Sequence, residues 1–216
     1  MQKVEVFSLK STRSTGYVKR IFDVIFSLSA LLLISPLLIL IAIGIKISSK
    51  GCVFFSQDRL KHGGQTFTCW KFRTMHENAE EILVELLEQN SDLKEEWQNK
   101  QKLKEDPRIF TLGKLLRKTS LDELPQFWNV LLGDMSVVGP RPYMVSQKDI
   151  LGQHSEKILS MRPGVTGLWQ TSGRSQTTFQ TRIELDMRYV EEASFWYDLK
   201  LIFKTLPCML FSQDAC

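Results

Sequence analysis

Cysteine and histidine are scarce and scattered in this 216-residue chain. Cys52, Cys69, Cys208 and Cys216 fall in no metal-binding or disulfide spacing, which argues against a zinc module or a disulfide scaffold and points to reduced thiols in a cytosol-facing protein. His62, His76 and His154 lie far apart and suggest no metal cluster. Internal repeats and linker-like stretches are missing, so a single domain is expected. No glycine-rich segment has the spacing of a P-loop or a dinucleotide fingerprint. Net charge is only +4, compatible with anionic partners without choosing among nucleic acid, phospholipid and sugar nucleotide.

The longest absence is of charge itself. The 22 residues from Val24 to Ile45 carry none. As a helix they would measure about 33 Å, enough for a hydrocarbon core of about 30 Å. The run is too long for a signal peptide, and no small-residue cleavage site follows it. Ser35-Pro36 sits in its middle, where proline removes a backbone donor and favours a sharp bend. A hydroxyl such as that of Ser35 can take up the freed carbonyl. Lys10, Arg13, Lys19 and Arg20 precede the run, and Lys46, Lys50, Arg59 and Lys61 follow it, so both ends carry the basic flank of a cytoplasmic side. A re-entrant helix satisfies both flanks, and many spanning helices also carry a proline. The residues alone leave both open.

What is present elsewhere reads as short elements. Residues 1–16 are polar and are expected to form a loose start. Alternation over residues 53–75, with Gly63-Gly64 between two runs, predicts a β-hairpin. Lys71 and Arg73 share one face of its second strand, either as a wet face or as two cations offered to an anion. Residues 77–100 predict a helical, strongly acidic segment, which an anionic leaflet would repel. A short basic helix is expected over Thr111–Lys118 and a helix stop at Gly133. Arg141 lies between Pro140 and Pro142, so its backbone is stiff; a rigid turn and a pre-organised anion clamp both fit. Arg162 and Arg174 bracket a glycine-rich loop. An amphipathic helix over Arg182–Glu192 and a last helix from Phe195, capped by Ser194, complete the chain.

The stretch Arg117–Gln126 carries adjacent carboxylates, Asp122 and Glu123, after a basic pair. Ser120 and Glu123 have the spacing of a capping box, with Asp122 in the first turn of a helix. That alone describes a helix start. The cations at 71, 73, 117, 141, 162 and 174 come from separate segments, and an apolar anchor is present. Together they suit phosphoryl chemistry between a soluble and a lipid partner, since a carboxylate can attack phosphorus while arginines and a divalent ion spread the charge. The competing reading is a membrane-tethered binding or scaffold protein whose basic surface meets anionic lipid.

Six motifs occur in one order: Lys19-Arg20-Ile21-Phe22-Asp23, Ser35-Pro36, Lys71-Phe72-Arg73-Thr74-Met75, Arg117 to Gln126, Val138-Gly139-Pro140-Arg141-Pro142, and Arg162-Pro163-Gly164-Val165-Thr166-Gly167. Over residues 17–210 the chain resembles the bacterial sugar transferases, monotopic polyprenyl-phosphate phosphoglycosyl transferases, and most of all the undecaprenyl-phosphate galactose or glucose phosphotransferases. Such enzymes often carry a multi-span N-terminal region, so this chain is expected to be a short form or a catalytic part.

The resemblance implies an α+β, mostly α fold with a re-entrant membrane helix broken at Ser35 and Pro36, a small β-hairpin and several amphipathic interfacial helices. Residues 1–50 would hold the N-terminal segment and membrane helix, and residues 51–216 one cytosol-facing catalytic region. It implies that Asp122 attacks the β-phosphate of a UDP-sugar, releasing UMP, and that undecaprenyl phosphate then takes the phospho-sugar from Asp122. Glu123 is implied either to help bind Mg²⁺ with Asp122 or to assist the second step. Lys71, Arg73, Arg117, Arg141, Arg162 and Arg174 are the expected phosphate-binding cations. The implied place is the cytoplasmic face of the bacterial inner membrane, with membrane lipids as partners and no nucleic acid. The acidic helix and the C-terminal segment are the candidates for contact in a homodimer.

Overall fold

A computed structural model describes residues 12–100, 103–173 and 177–211. Residues 1–11 and Arg174 lie outside them. The first element, α1, is one helix over Thr12–Ser48, so the loose start ends earlier than residue 16. Pro36 lies inside it. Ser35 Oγ donates to the Leu32 carbonyl at 2.8 Å. That carbonyl is the one Pro36, four residues on, has no N–H to bond. The interruption expected at Ser35–Pro36 is therefore not an end of helix, because the local hydroxyl compensates for the missing link.

Both ends of α1 dock on the rest of the chain. Near its start, Asp23 and Ser27 are buried, and Phe22 and Phe26 pack against a core that includes Val130, Val137 and Val138. Toward its end, Ile41 and Ile45 are buried with Phe72, Phe110 and Leu116. Between them Leu32, Leu33, Leu37, Ile39 and Leu40 are exposed. Two of the basic residues before the apolar run, Lys19 and Arg20, are used internally. Lys19 donates to the Val138 carbonyl at 3.0 Å and pairs with Asp198, while Arg20 donates to the carbonyls of Val130 and Leu131.

The hairpin is present as β1, Phe54–Leu60, and β2, Thr66–Phe72, antiparallel with Phe54 opposite Phe72 and Leu60 opposite Thr66. Gly63 and Gly64 take φ of 76° and 72° in the turn, a region glycine enters at no steric cost. The acidic segment is two helices rather than one: α2, Ala79–Gln89, and α3, Ser91–Lys100. Asn90 between them is extended, and its Oδ1 accepts from Asp92 N and Leu93 N, an asparagine cap that starts a new helix.

The next helix, α4, covers Thr111–Lys118 as expected. A 3₁₀ turn at Leu121–Glu123 leads to α5, Gln126–Leu132, which ends at Gly133 with φ 91°. Strands β3, Ser136–Val138, and β4, Gly164–Thr166, pair in parallel, with α6, Ser155–Ile158, between them in sequence. This second sheet was not expected from the sequence, where both segments read as turn and loop. A Cβ on Gly164 would lie 2.1 Å from Gly139 N, so the two segments pass where only glycine fits. The chain closes with α7, Phe179–Glu192, capped by Thr178, and α8, Phe195–Phe211, whose Tyr197 N donates to Ser194 Oγ at 3.3 Å. The α+β, mostly helical expectation holds.

Candidate active site

The hairpin supplies the first wall. Phe67, Cys69 and Lys71 lie on one face of β2, because side chains alternate. Phe67 and Cys69 are buried in the core, and Lys71 continues the row to the edge of that core. Asn129 of α5, fully buried, ties α5 to this strand: it accepts from Trp70 N at 3.0 Å and donates to the Thr68 carbonyl at 2.8 Å. The side chain thus pairs the free edge of β2 as a neighbouring strand would. The turn before α5 is thereby set against Lys71.

That turn carries the dyad. Ser120 has φ 56° and is the one non-glycine residue with positive φ among the described residues. Left-handed serine costs about 1–3 kcal/mol and persists where its surroundings enforce it. Here it reverses the chain between α4 and the Leu121–Glu123 turn. The capping box expected of Ser120 and Glu123 is not formed: the turn has no side-chain cap. Both Glu123 oxygens face cations instead. Lys71 Nζ lies 2.6 Å from Oε1, and Arg141 donates to Oε1 at 2.6 Å and to Oε2 at 3.0 Å. Charge-assisted, bidentate bonding outweighs a neutral backbone cap. Nor is Asp122 in the first turn of α5, which begins only at Gln126.

Asp122 is the contrasting member. It is buried, yet its carboxylate accepts no hydrogen bond among the described residues. Burial and then the neighbouring Glu123 charge push its pKa up, while Lys71, Arg117 and Arg141 pull it down. Glu123 moves the other way: Arg141 and Lys71 overcome the penalty of its burial and hold it well below the usual carboxylate range. Two adjacent carboxyl groups therefore have opposite characters, one held by cations and one without a hydrogen bond among the described residues.

Arg117 enters from the last turn of α4. Its Nε donates to Thr74 Oγ1 at 2.8 Å. Gly113, one turn earlier on the same face, lets α4 approach: a Cβ there would lie 2.2 Å from the Thr74 carbonyl. Arg141 projects from the loop after β3, and its guanidinium lies 5.7 Å from the Trp169 ring. The structure thus brings together Asp122, Glu123, Lys71, Arg117 and Arg141.

Other expected site residues are elsewhere. Arg73 is buried, and its guanidinium donates to the carbonyls of Ser49 and Lys50 just past the end of α1. Arg162 donates to the Gly133 carbonyl at 2.9 Å, at the opposite end of α5 from the dyad. Arg174 is outside the described residues. Asn129, Arg59 and Arg182 went unremarked as site residues in the sequence. For Arg182 a signal existed, the i,i+4 spacing to Asp186 on α7.

Magnesium is a test of the donor set. No group of three or more acidic, histidine or cysteine side chains is gathered among the described residues, so there is no all-protein cage. Asp122 keeps its oxygens unbonded, and Glu123 Oε2 accepts one bond only. That pair fits Mg²⁺ of the kind that keeps its waters and shares one or two carboxylates with substrate phosphates.

The model of the family described as bacterial sugar transferase matches residues 14–212. The exopolysaccharide production protein ExoY of Rhizobium meliloti is 46% identical over 200 residues, covering 93% of this chain and 88% of that protein. The undecaprenyl-phosphate galactose phosphotransferase of Salmonella typhimurium is 41% identical over 203 residues, 94% of this chain and 42% of that protein. The UDP-glucose:undecaprenyl-phosphate glucose-1-phosphate transferase of Escherichia coli is 38% identical over 217 residues, 95% of this chain and 44% of that protein.

Proposed function

Because the chain belongs to the bacterial sugar transferase family, we propose that it moves a sugar-1-phosphate from a UDP-sugar, UDP-galactose or UDP-glucose, to undecaprenyl phosphate, starting assembly of a surface polysaccharide. The observation that carries this reading is the buried, unbonded carboxylate of Asp122 beside Lys71, Arg117 and Arg141. An Asp122 oxygen attacks the β-phosphorus, the bond from that phosphorus to the bridging oxygen breaks, and UMP leaves with the electron pair. An aspartyl phospho-sugar remains. A phosphate oxygen of undecaprenyl phosphate then attacks the same phosphorus and restores the carboxylate. The sugar's own anomeric bond is untouched throughout.

Glu123 holds Lys71 and Arg141 in place without competing for phosphorus, since its oxygens already accept their hydrogen bonds. Arg117 and the two held cations face the charge that builds on the transferring phosphoryl group. Bound Mg²⁺, held by Asp122 and Glu123, would neutralise diphosphate charge.

The site works at a membrane surface in this reading. Residues 22–27 and 38–45 of α1 pack on the same body, which supports entry and exit on one side. The basic residues flanking the apolar run favour the cytoplasmic side of the inner membrane. A span would carry the two ends apart. Cysteine at Thr15 and at Phe55, labelled from each side of intact membranes, is expected to react from the cytoplasmic side in both cases; labelling on opposite sides would mean a span.

The activity is tested with detergent-purified protein, Mg²⁺, polyprenyl phosphate and a panel of UDP-sugars. UMP is expected with UDP-galactose or UDP-glucose. Asp122→Asn is expected to abolish both UMP release and trapping of labelled phospho-sugar on the protein. Trapping that survives would require a different nucleophile, and no UMP from any sugar nucleotide would favour a lipid-binding scaffold.

A further inference from the structure

Four consecutive carbonyls around Arg141 each have their own donor. Gly164 N lies 2.8 Å from the Pro140 carbonyl, and Leu60 N lies 2.9 Å from that of Tyr143. These are backbone donors. The two between them are guanidinium groups: Arg182 Nη2 is 2.9 Å from the Arg141 carbonyl, and Arg59 Nη1 is 3.3 Å from that of Pro142. The segment needs side-chain donors for a simple reason. Pro140 and Pro142 lack an N–H, so the loop cannot pair along a strand in a way that would orient Arg141.

Arg182 is itself fixed. It is 8% exposed, its guanidinium stacks 3.8 Å over the Tyr143 ring, and it lies 5.0 Å from the Trp169 ring, which the Arg141 guanidinium also approaches. Asp186, one turn further along α7 and fully buried, accepts the Tyr143 hydroxyl at 2.6 Å and has Oδ2 3.8 Å from Arg182 Nε. One face of α7 therefore holds Arg141 by its carbonyl and Tyr143 by its ring and hydroxyl. The Arg141 side chain leaves that held backbone to meet both Glu123 oxygens.

We infer that Arg182 is a positioning residue, supported by Arg59, which sets the backbone of Arg141 so that its guanidinium meets Glu123 beside Asp122. Arg182 acts through Arg141 and does not touch substrate. This rests on the transferase reading above. Its physical basis is that a displacement of about 1 Å at a charge-stabilising group can cost a factor of about 100 in rate.

The test is a double-mutant cycle on full-length protein, read as kcat/KM for UMP release. Arg182→Met is expected to lower it about 100-fold, and Arg182→Lys, which keeps charge without the planar fork, by less. In an Arg141→Met background the same Arg182 substitutions should cost under about threefold, because the group they position is gone. Additive losses would overturn the inference and assign Arg182 a direct role; an Arg182→Met protein with unchanged kcat/KM would overturn it by showing that Arg182 has no part in the rate. A wild-type protein that releases no UMP defeats the transferase reading instead. The cycle is then read as shifts in Tm, where Arg141→Met should cost less in the Arg182→Met background; additive Tm shifts would overturn the brace on their own.

Discussion

Replacing Glu123 by Gln tests the division of labour in the dyad most directly. The substitution keeps shape and removes the charge that Lys71 and Arg141 share. Breaking a buried pair by deleting one partner costs about 3–5 kcal/mol. The low end applies here, since the side chains of Lys71 and Arg141 remain 22% and 30% exposed and regain some water. For a chain of this size about 3 kcal/mol corresponds to a fall in Tm of roughly 6–12 °C. The kinetic consequence has a definite sign. In the proposed mechanism Asp122 attacks as a carboxylate, so kcat/KM is expected to rise with pH and level off above its raised pKa of about 6. Glu123 is one of the causes of that rise, second to burial. Its removal should move the acid limb to lower pH. The plateau should fall about 100-fold, because Lys71 and Arg141 lose their anchor and turn to the remaining carboxylate. Lys71→Met should move the limb the other way, since Lys71 lowers the Asp122 pKa. The assay is UMP release across pH at fixed Mg²⁺, with thermal unfolding alongside. A limb that stays in place or moves upward in Glu123→Gln, or a Tm shift below about 2 °C, would refute the reasoning.

Three further outcomes are expected. Asp122→Asn, besides ending turnover, should raise Tm at neutral pH by roughly 2–4 °C, because the fold disfavours the charged form and no hydrogen bond is lost; calorimetry reads it. Arg73→Met should lower stability by about 2 kcal/mol through loss of its bonds to the Ser49 and Lys50 carbonyls while leaving kcat unchanged, and a kinetic defect without a Tm change would give Arg73 a direct role. Burial pushes the Asp186 pKa from 3.8 up to about 6, so the folded chain binds its proton more tightly than the unfolded one. That contribution to stability is full below the ordinary value and lost as pH climbs through about 6. Asp186→Asn should therefore flatten this part of the Tm–pH curve relative to wild type, and an unchanged slope would exclude Asp186 as its source.

Local rules were enough for much of the chain. Hydropathy located α1, alternation and the Gly63-Gly64 pair located the hairpin, and Gly133 marked the end of α5. Motif order pointed to the family and to Asp122 and Glu123. These features depend on residues near one another, so they can be read in a line. The repair of Pro36 by Ser35 belongs here too, because donor and acceptor lie three residues apart.

The remainder depended on which distant groups meet. The parallel pairing of β3 with β4 joins segments more than 20 residues apart, and neither three-residue strand carries a periodic pattern of its own. Arg73 and Lys71 alternate identically in sequence, yet Lys71 meets Glu123 and Arg73 meets the end of α1. The Ser120 and Glu123 capping box is a sound local expectation that lost to two cations arriving from β2 and from the loop after β3. By itself the sequence determined the long apolar helix, much of the local structure and the adjacent carboxylates Asp122 and Glu123 as the candidate site. The tertiary structure alone decided which carboxylate is held by cations and which is left without a hydrogen bond among the described residues. That outcome turns on burial and on cations 52 and 18 residues away along the chain, and no local propensity encodes it.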